Sequence, residues 1–261
     1  ERCGWRVRAG HRPCVEEWCV AGRLCVGDWA GLSAWAEGVT APLPEGAARH
    51  VQVWRLHPGD VVEVFDGQGQ CWTAEVVSMG RREVSVSLRA PCVVNSELPV
   101  SVTLAVGMPA NDRMDFLVEK ASELGVTHIQ PLMCARSVLR LDAERALKKV
   151  AHWQGVAAAA CEQSGRVCVP TVAPVRTLTQ YLQAAACEVG NGVQRAVLSP
   201  RASESLAGWA ARAKDGSKGA SSLAWVFLSG PEGGLSAEEE QAALTQGWTG
   251  VRLGPRVLRA D

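Results

Sequence analysis

This sequence lacks long apolar runs, a membrane leader and a net charge. No apolar run approaches the roughly 18–20 residues that a membrane span requires, and no basic-then-apolar leader opens the sequence. The 27 Lys and Arg residues balance the 27 Asp and Glu residues. We therefore expect a cytoplasmic protein without membrane association. Because the net charge is zero, any contact with nucleic acid must come from a local basic patch and not from the electrostatic field of the whole protein.

Metal-ligand and disulfide spacings are missing as well. The chain has ten cysteines, but no Cys-x-x-Cys occurs, and the five histidines show no ligand spacing with them. Zinc sites and disulfide frameworks depend on such spacing. Reduced thiols in a cytosolic protein are therefore the expectation, and no metal site is predicted.

The hydrophobic pattern changes along the chain and predicts two domains. Residues 1–36 show no clear period and are left unassigned. Within 37–99, the short alternating runs VVEVF, CWTAEVV and EVSVSL are separated by turn signals, which predicts a small antiparallel sheet or barrel. Within 100–261, the runs VSVTLAVGM, THIQPLM, AVLSP and LAWVFLSG alternate with helical patterns, which predicts a parallel sheet covered on both faces. A β domain is thus followed by an α/β domain.

The segment DRMDFLVEKASELG predicts a helix that ends at Gly125. Its apolar positions follow the helical period: Met114, Leu117, Val118, Ala121 and Leu124. Asp115, Glu119 and Glu123 share the opposite face, for which a solvated surface is the simplest interpretation.

A second helix is predicted in DAERALKKVAHWQGVAAAACEQSG, with Glu144 and Lys148 at the spacing of an ion pair. The densest cationic stretch of the chain begins just before this helix: Arg136, Arg140, Arg145, Lys148, Lys149 and His152. A solvated face and a contact with the RNA backbone remain as alternatives for this stretch.

The turn LSGPEGGLS, residues 228–236, lies between an apolar run and a predicted helix. It lacks the Lys-Ser/Thr pair of a Walker loop and the G-x-G-x-x-G spacing of a dinucleotide fold. Ser236 and Glu239 form a capping box, and Glu238 to Glu240 would repel a phosphate. A neutral or cationic ligand such as S-adenosylmethionine suits this turn, and a tight turn without a ligand is the alternative.

Four blocks of the sequence together resemble the RsmE family, the 16S ribosomal RNA (uracil-N3)-methyltransferases of the SPOUT superfamily. They are GMPANDRMDFLVEKASELGVTHIQPLMCARSV, HWQGVAAAACEQSGRVCVP, LSGPEGGLSAEEE and VRLGPRVLRAD. The segment RHVQVWRLHPGDVVEVFDGQG resembles that family's PUA-like RNA-binding domain. The resemblance implies an N-terminal PUA-like β-barrel domain, a trefoil-knotted SPOUT methyltransferase domain and a homodimer that acts on the small ribosomal subunit.

By position, the resemblance also implies three cofactor loops for S-adenosylmethionine. Their residues are Leu198, Ser199, Pro200, Gly230, Pro231, Glu232, Gly233, Gly234, Leu253, Gly254, Pro255 and Leu258.

Methylation at uracil N3 needs a base, or a cation that stabilises the uracil anion, because N3 carries a proton. The candidate catalytic residues are Arg113, Glu232, Arg256 and Arg259. We expect arginine to stabilise the anion and Glu232 to act as a base or a positioning group. Arg49 and His50 are candidates for RNA contact, with a surface position lacking function as the alternative.

The sequence departs from the family in three places, the first of which is residues 1–36, which do not match the family's short first strand. Pro109-Ala110-Asn111 stands where related sequences carry a lysine, and the chain ends at Asp261, before a further helical segment of the family. An RNA-binding protein with impaired catalysis and a SPOUT enzyme acting on another RNA therefore remain as alternatives. For Glu162 and Gln163, a role in capping and packing and a contact with substrate are equally open.

Overall fold

The computed structural model describes residues 20–81, 83–94, 96–187, 192–216 and 224–256. Contacts divide the chain into two compact units. The first contains the described residues up to Leu24, Trp29–Val64 and Trp72–Pro91, and the second contains Cys25–Asp28, Phe65–Cys71 and the residues from Cys92 onward. Among the described residues, no helix has the length and apolar character needed to cross a membrane.

The first unit is built on a five-stranded sheet in the order β1-β3-β4-β5-β2, with one helix. The elements are β1 Arg23–Cys25, β2 Thr40–Pro42, α1 Glu45–Val53, β3 Val61–Phe65, β4 Cys71–Met79 and β5 Val84–Pro91. The pairs β4–β5 and β2–β5 are antiparallel, as the alternating runs predicted. Strand β1 lies in the segment that sequence reasoning left unassigned.

Helix α1 was not predicted. It begins after Pro44, whose fixed φ suits a helix start, and it buries Ala47, Ala48 and Val51. Nine residues are too few for a clear 3.6-residue period, so tertiary burial and not propensity defines this helix.

The second unit is built on an eight-stranded sheet in the order β11-β13-β10-β12-β6-β7-β8, with β9 also paired to β7. Its elements are β6 Ser101–Gly107, α2 Asn111–Glu123, β7 His128–Met133, α3 Ala143–Ser164, β8 Thr171–Val172, β9 Arg176–Thr177, α4 Leu178–Cys187, β10 Val193–Leu198, β11 Glu204–Ser205, α5 Leu206–Gly216, β12 Ala224–Ser229, α6 Ala237–Thr245 and β13 Thr249–Arg252. Every pair in this sheet is parallel, as the near-continuous apolar runs predicted.

Helices cover both faces of the parallel sheet. Ala105 packs in a core with residues of α4 and α6, whereas its neighbour Val106 packs with residues of α2 and α3. Successive side chains of a strand point to opposite faces, so these two cores lie on the two sides of β6. Because both faces are covered, successive positions are apolar in β12 and in the second halves of β6 and β10.

Helix α2 follows its predicted pattern with one exception. Met114 and Val118 are fully buried, and Gly125 ends the helix at φ +101°. Leu124 is 79% exposed, so its predicted place on the apolar face was wrong, because the chain turns away at the C-cap. On the charged face, Asp115 accepts hydrogen bonds from the ring nitrogens of His152 and Trp153 and thereby joins α2 to α3.

Glu162 is half-buried on α3 in the second unit. Its Oε1 accepts a hydrogen bond from the Cys25 backbone N–H at 2.8 Å, so a packing role is observed for this side chain. Nearby, Cys25, Cys71, Cys92, Cys161 and Cys168 gather around Phe65 and Val167. In the part of the chain that the structure describes, no group of three or more His, Cys, Asp or Glu residues is placed to hold a metal ion.

Candidate active site

The candidate site lies at the carboxyl edge of the parallel sheet. Strands β13, β10, β12, β6 and β7 are successive neighbours and run parallel, so the loops that follow them meet at one edge. This edge is where open α/β sheets bind ligands. The loops after β10, β12 and β13 line a pocket of about 380 Å³.

Most of the predicted cofactor residues line this pocket. They are Leu198, Ser199, Pro200, Gly230, Pro231, Glu232, Gly233, Gly234, Leu253 and Gly254, together with the catalytic candidate Arg256. Pro255 is described but does not line the pocket. Leu258 and Arg259 lie outside the described residues. Three loops that are distant in sequence therefore share one cavity.

The loop after β12 is folded too tightly to accept a side chain at Gly230. A Cβ atom there would lie 2.5 Å from the Leu235 backbone N and 2.6 Å from the Gly234 carbonyl C. Gly107, at the end of β6, is equally confined, because a Cβ atom would lie 2.5 Å from Pro231 Cδ and 2.9 Å from Cys134 Sγ. Glycine at both positions lets the loop pack directly on the end of the sheet.

Glu232 connects this loop to helix α2. Its Oε1 accepts the Ala110 backbone N–H at 2.8 Å and lies 3.6 Å from Arg113 Nη1. Ala110 is the N-cap of α2, so the carboxylate also lies at the positive end of the helix dipole. Its Oε2 is buried and has no hydrogen-bond partner among the described residues. The glutamate in the glycine-rich turn is thus anchored by Oε1, whereas Oε2 is buried without a partner among the described residues.

Arg136 holds the other end of the same loop. Its Nη1 donates to the Gly233 carbonyl O at 2.9 Å and to the Leu235 carbonyl O at 3.3 Å. A Cβ atom at Gly233 would lie 3.2 Å from Arg136 Cβ. A larger residue at Gly233 would therefore press on this arginine. The sequence grouped Arg136 with the RNA-binding candidates, and the structure places it in the pocket wall.

The N-terminus of α6 is occupied by the protein's own groups. Ser236 Oγ accepts the Glu239 N–H, and Glu239 Oε2 accepts the Ser236 N–H, which confirms the predicted capping box. Glu239 Oε1 also accepts the Ala135 N–H at 2.7 Å. Because these donors are satisfied and three glutamates fill the first turn, this helix end does not provide a phosphate site.

The remaining RNA-binding candidates are not among the residues that line the pocket. Arg140 donates to the Ala135 carbonyl O. Lys148 is 74% exposed and forms the predicted ion pair with Glu144 at 2.6 Å, and Lys149 is half-buried on the same helix. Arg49 and His50 are exposed on α1 in the first unit.

Several pocket residues were missed by sequence reasoning. Arg201 and Glu240 both line the pocket and pair with each other, although they are 39 residues apart. Gly107 lets the loop after β12 pack closely on the end of β6. A glycine at the end of a predicted strand was the sequence feature that could have indicated this close contact. Cys134 touches the same region, but burial raises the pKa of its thiol to about 12, so it is protonated at neutral pH and is not a thiolate nucleophile.

The fold and the pocket are those of an RNA methyltransferase. A family described as RNA methyltransferase domain matches residues 96–261, and one described as RNA methyltransferase PUA domain matches residues 43–89. Among curated relatives, ribosomal RNA small subunit methyltransferase E of Bacillus subtilis is 33% identical over 214 residues, covering 81% of this chain and 80% of that protein. The chain belongs to the ribosomal RNA small subunit methyltransferase E family.

Solved structures agree with this assignment. The methyltransferase E of Neisseria gonorrhoeae bound to S-adenosyl methionine has a TM-score of 0.77 at 32% identity, with 91% of each chain covered. A putative methyltransferase of Legionella pneumophila in complex with the same cofactor also has a TM-score of 0.77, at 28% identity, covering 91% of this chain and 90% of that one. The predicted PUA-like domain and α/β RNA methyltransferase domain are thereby confirmed. The residues that follow Arg256, in the last part of the predicted knotted domain, lie outside the described residues.

Proposed function

We propose that this protein transfers the methyl group of S-adenosylmethionine to N3 of a uridine in the 16S ribosomal RNA of the small ribosomal subunit. Family membership supports the substrate class, and the cofactor-bound relative from Neisseria supports the methyl donor. The observation in this chain that carries the chemistry is Glu232, with Oε1 held by Ala110 and Oε2 buried without a partner among the described residues. From the resemblance, we extend the proposal to a cytoplasmic homodimer.

The pocket fits S-adenosylmethionine in size and in chemistry. Its volume of about 380 Å³ falls in the range of small-molecule sites. Its walls combine the backbone of the glycine-rich turn and apolar side chains with two carboxylates, those of Glu232 and Glu240, and four arginines: Arg136, Arg201, Arg252 and Arg256. Backbone amides and carbonyls suit an adenine edge, and carboxylates suit a cationic ligand. When bound, the cofactor supplies an electrophilic methyl group on a positively charged sulfur.

The chain's own residues have two tasks at the uracil. The N3 proton must be removed, and the negative charge that develops on the ring must be stabilised. We assign the second task to Arg113, which lies on the first turn of α2 with 38% of its side chain exposed. Glu232 orients that guanidinium through Oε1, and its carboxylate is the proposed proton acceptor.

The direct test is to map methylated uridine in small-subunit RNA by mass spectrometry, in cells with and without this gene. Purified protein is then added to subunits from the deleted strain with labelled S-adenosylmethionine. We expect one N3-methyluridine to disappear on deletion and to return with the purified protein. A modification map that does not change between the two strains would refute the proposal.

We also propose that the basic stretch from Arg136 to His152 binds the RNA backbone through Lys148 and Lys149. Replacing both lysines by alanine should reduce the slope of log affinity against log salt by about one unit for every phosphate that is no longer neutralised. Fluorescence anisotropy at several salt concentrations measures this slope. Arg176→Ala, at an exposed cation on β9, is the control and should leave the slope unchanged. An unchanged slope in the double variant would show that this helix face is exposed to solvent and does not contact RNA.

A further inference from the structure

Five cysteines of the second unit gather in one small apolar cluster. They surround Phe65 and Val167 and are Cys25, Cys71, Cys92, Cys161 and Cys168. These five are half of the ten cysteines in the sequence. None of them lines the pocket of the candidate active site. The cluster is therefore not part of the proposed methyl transfer.

Cys71 and Cys92 are direct neighbours across two strands. Strands β4 and β5 are antiparallel with Trp72 opposite Pro91, and the same register continued by one residue places Cys71 opposite Cys92. The Cys92 N–H donates to the Cys71 carbonyl O at 2.7 Å, which confirms this pairing. Residues directly opposite each other project their side chains to the same face of a sheet, and both side chains do pack in the same cluster.

The spacing of such a pair suits a disulfide bond. Opposed residues of a hydrogen-bonded antiparallel pair have Cα atoms about 5.5 Å apart. Cysteines joined by a disulfide most often have Cα atoms separated by about 5.5–6 Å. The two sulfur atoms can therefore be joined without separating the strands.

The two thiols differ in their access to solvent. Cys71 is 3% exposed, whereas Cys92 is half-buried. Cys92 therefore meets a dissolved oxidant first, and Cys71 reacts second from within the protein. The other cysteines of the cluster are less suited to this exchange, because burial raises the pKa of the Cys25 and Cys168 thiols and Cys161 is fully buried.

We propose that Cys71 and Cys92 are a redox-sensitive pair that a low-molecular-weight disulfide, such as glutathione disulfide, converts to an intramolecular disulfide. The Cys92 thiolate attacks one sulfur of glutathione disulfide and releases the first glutathione. The Cys71 thiolate then attacks Sγ of Cys92 in the mixed disulfide and releases the second glutathione. Two electrons pass from the protein to the oxidant, and the two thiol protons leave with the two glutathione molecules.

The new bond closes the base of the β4–β5 hairpin. The residues between the two cysteines, Trp72–Pro91, belong to the first unit. A bond across a loop of about 20 residues stabilises the folded hairpin by constraining the unfolded chain. The oxidised hairpin should therefore open less often than the reduced one. This inference goes beyond the proposed function and does not depend on it.

The test is to incubate the reduced full chain with glutathione disulfide, block the remaining thiols with N-ethylmaleimide and digest with trypsin without reduction. The two cysteines lie on separate tryptic peptides, residues 56–81 and 90–113, so mass spectrometry identifies the bond directly. We expect these two peptides to be linked, and dithiothreitol should separate them. Cys168→Ser, in the same cluster, is the matched control and should still form the link.

Cys71→Ser should abolish the link and leave Cys92 bound to glutathione, whereas Cys92→Ser should leave Cys71 unmodified. Oxidation should raise the melting temperature of the wild type by about 5 °C, and it should not raise that of Cys71→Ser. Each protein is compared with itself before and after oxidation, so a variant of lower stability still gives an answer. A wild type without the link, a link between other cysteines, or an equal temperature shift in Cys71→Ser would overturn the inference.

Discussion

Arg113→Ala is expected to lower the rate of uridine methylation by about a hundredfold or more while affinity for S-adenosylmethionine is kept. Removing one donor that stabilises a developing anion typically has an effect of this size. Arg113 is 38% exposed and lies 3.6 Å from Glu232 Oε1, outside the buried core of α2. Its removal should therefore change the melting temperature little, as is usual for surface substitutions.

Single-turnover kinetics on small-subunit RNA, with calorimetry for the cofactor, measure the two quantities separately. Lys120→Ala is the matched control, because Lys120 lies on the same helix, is 42% exposed and also pairs with glutamates. It should methylate at the wild-type rate. An Arg113→Ala protein that unfolds would make the residue structural, and one that methylates normally would exclude it from the reaction.

Gly230→Ala should weaken binding of S-adenosylmethionine by roughly thirtyfold, since overpacking at a closed position costs about 2 kcal/mol. The added Cβ would meet the Leu235 N and the Gly234 carbonyl C, both backbone atoms, so the whole turn must open. The loop that forms one wall of the pocket would then lose its shape.

Calorimetric titration with the cofactor measures this change in affinity, and Gly155→Ala provides the control. Gly155 is exposed in the middle of α3, and a Cβ there meets nothing within 4 Å. Alanine at that position should leave cofactor affinity unchanged and stabilise the helix by up to about 1 kcal/mol. Wild-type cofactor affinity in Gly230→Ala would show that the turn does not shape the binding site.

Local patterns in the sequence determined much of this protein. Strands β3 to β7, β10 and β12, the capping box at Ser236 and the stop at Gly125 each depend on neighbours within a few residues, so local sequence patterns predict them. The family resemblance placed three separate loops at the cofactor site, and the pocket contains residues of all three. Helix α1 was not predicted from the sequence. With nine residues it is too short to show a clear helical period, and it is stabilised by the burial of Ala47, Ala48 and Val51.

Contacts between residues far apart in the chain were decided only by the tertiary structure. Sequence alone named Glu232, but not that Oε1 would bind Ala110, 122 positions away, and leave Oε2 buried without a partner among the described residues. The sequence placed Arg136 in a basic stretch and did not predict that its guanidinium donates to the carbonyl oxygens of Gly233 and Leu235. Charge and spacing show which residues are available for chemistry. The order of parallel strands decides which of them meet, because loops that follow neighbouring strands converge at one edge whatever their distance along the chain.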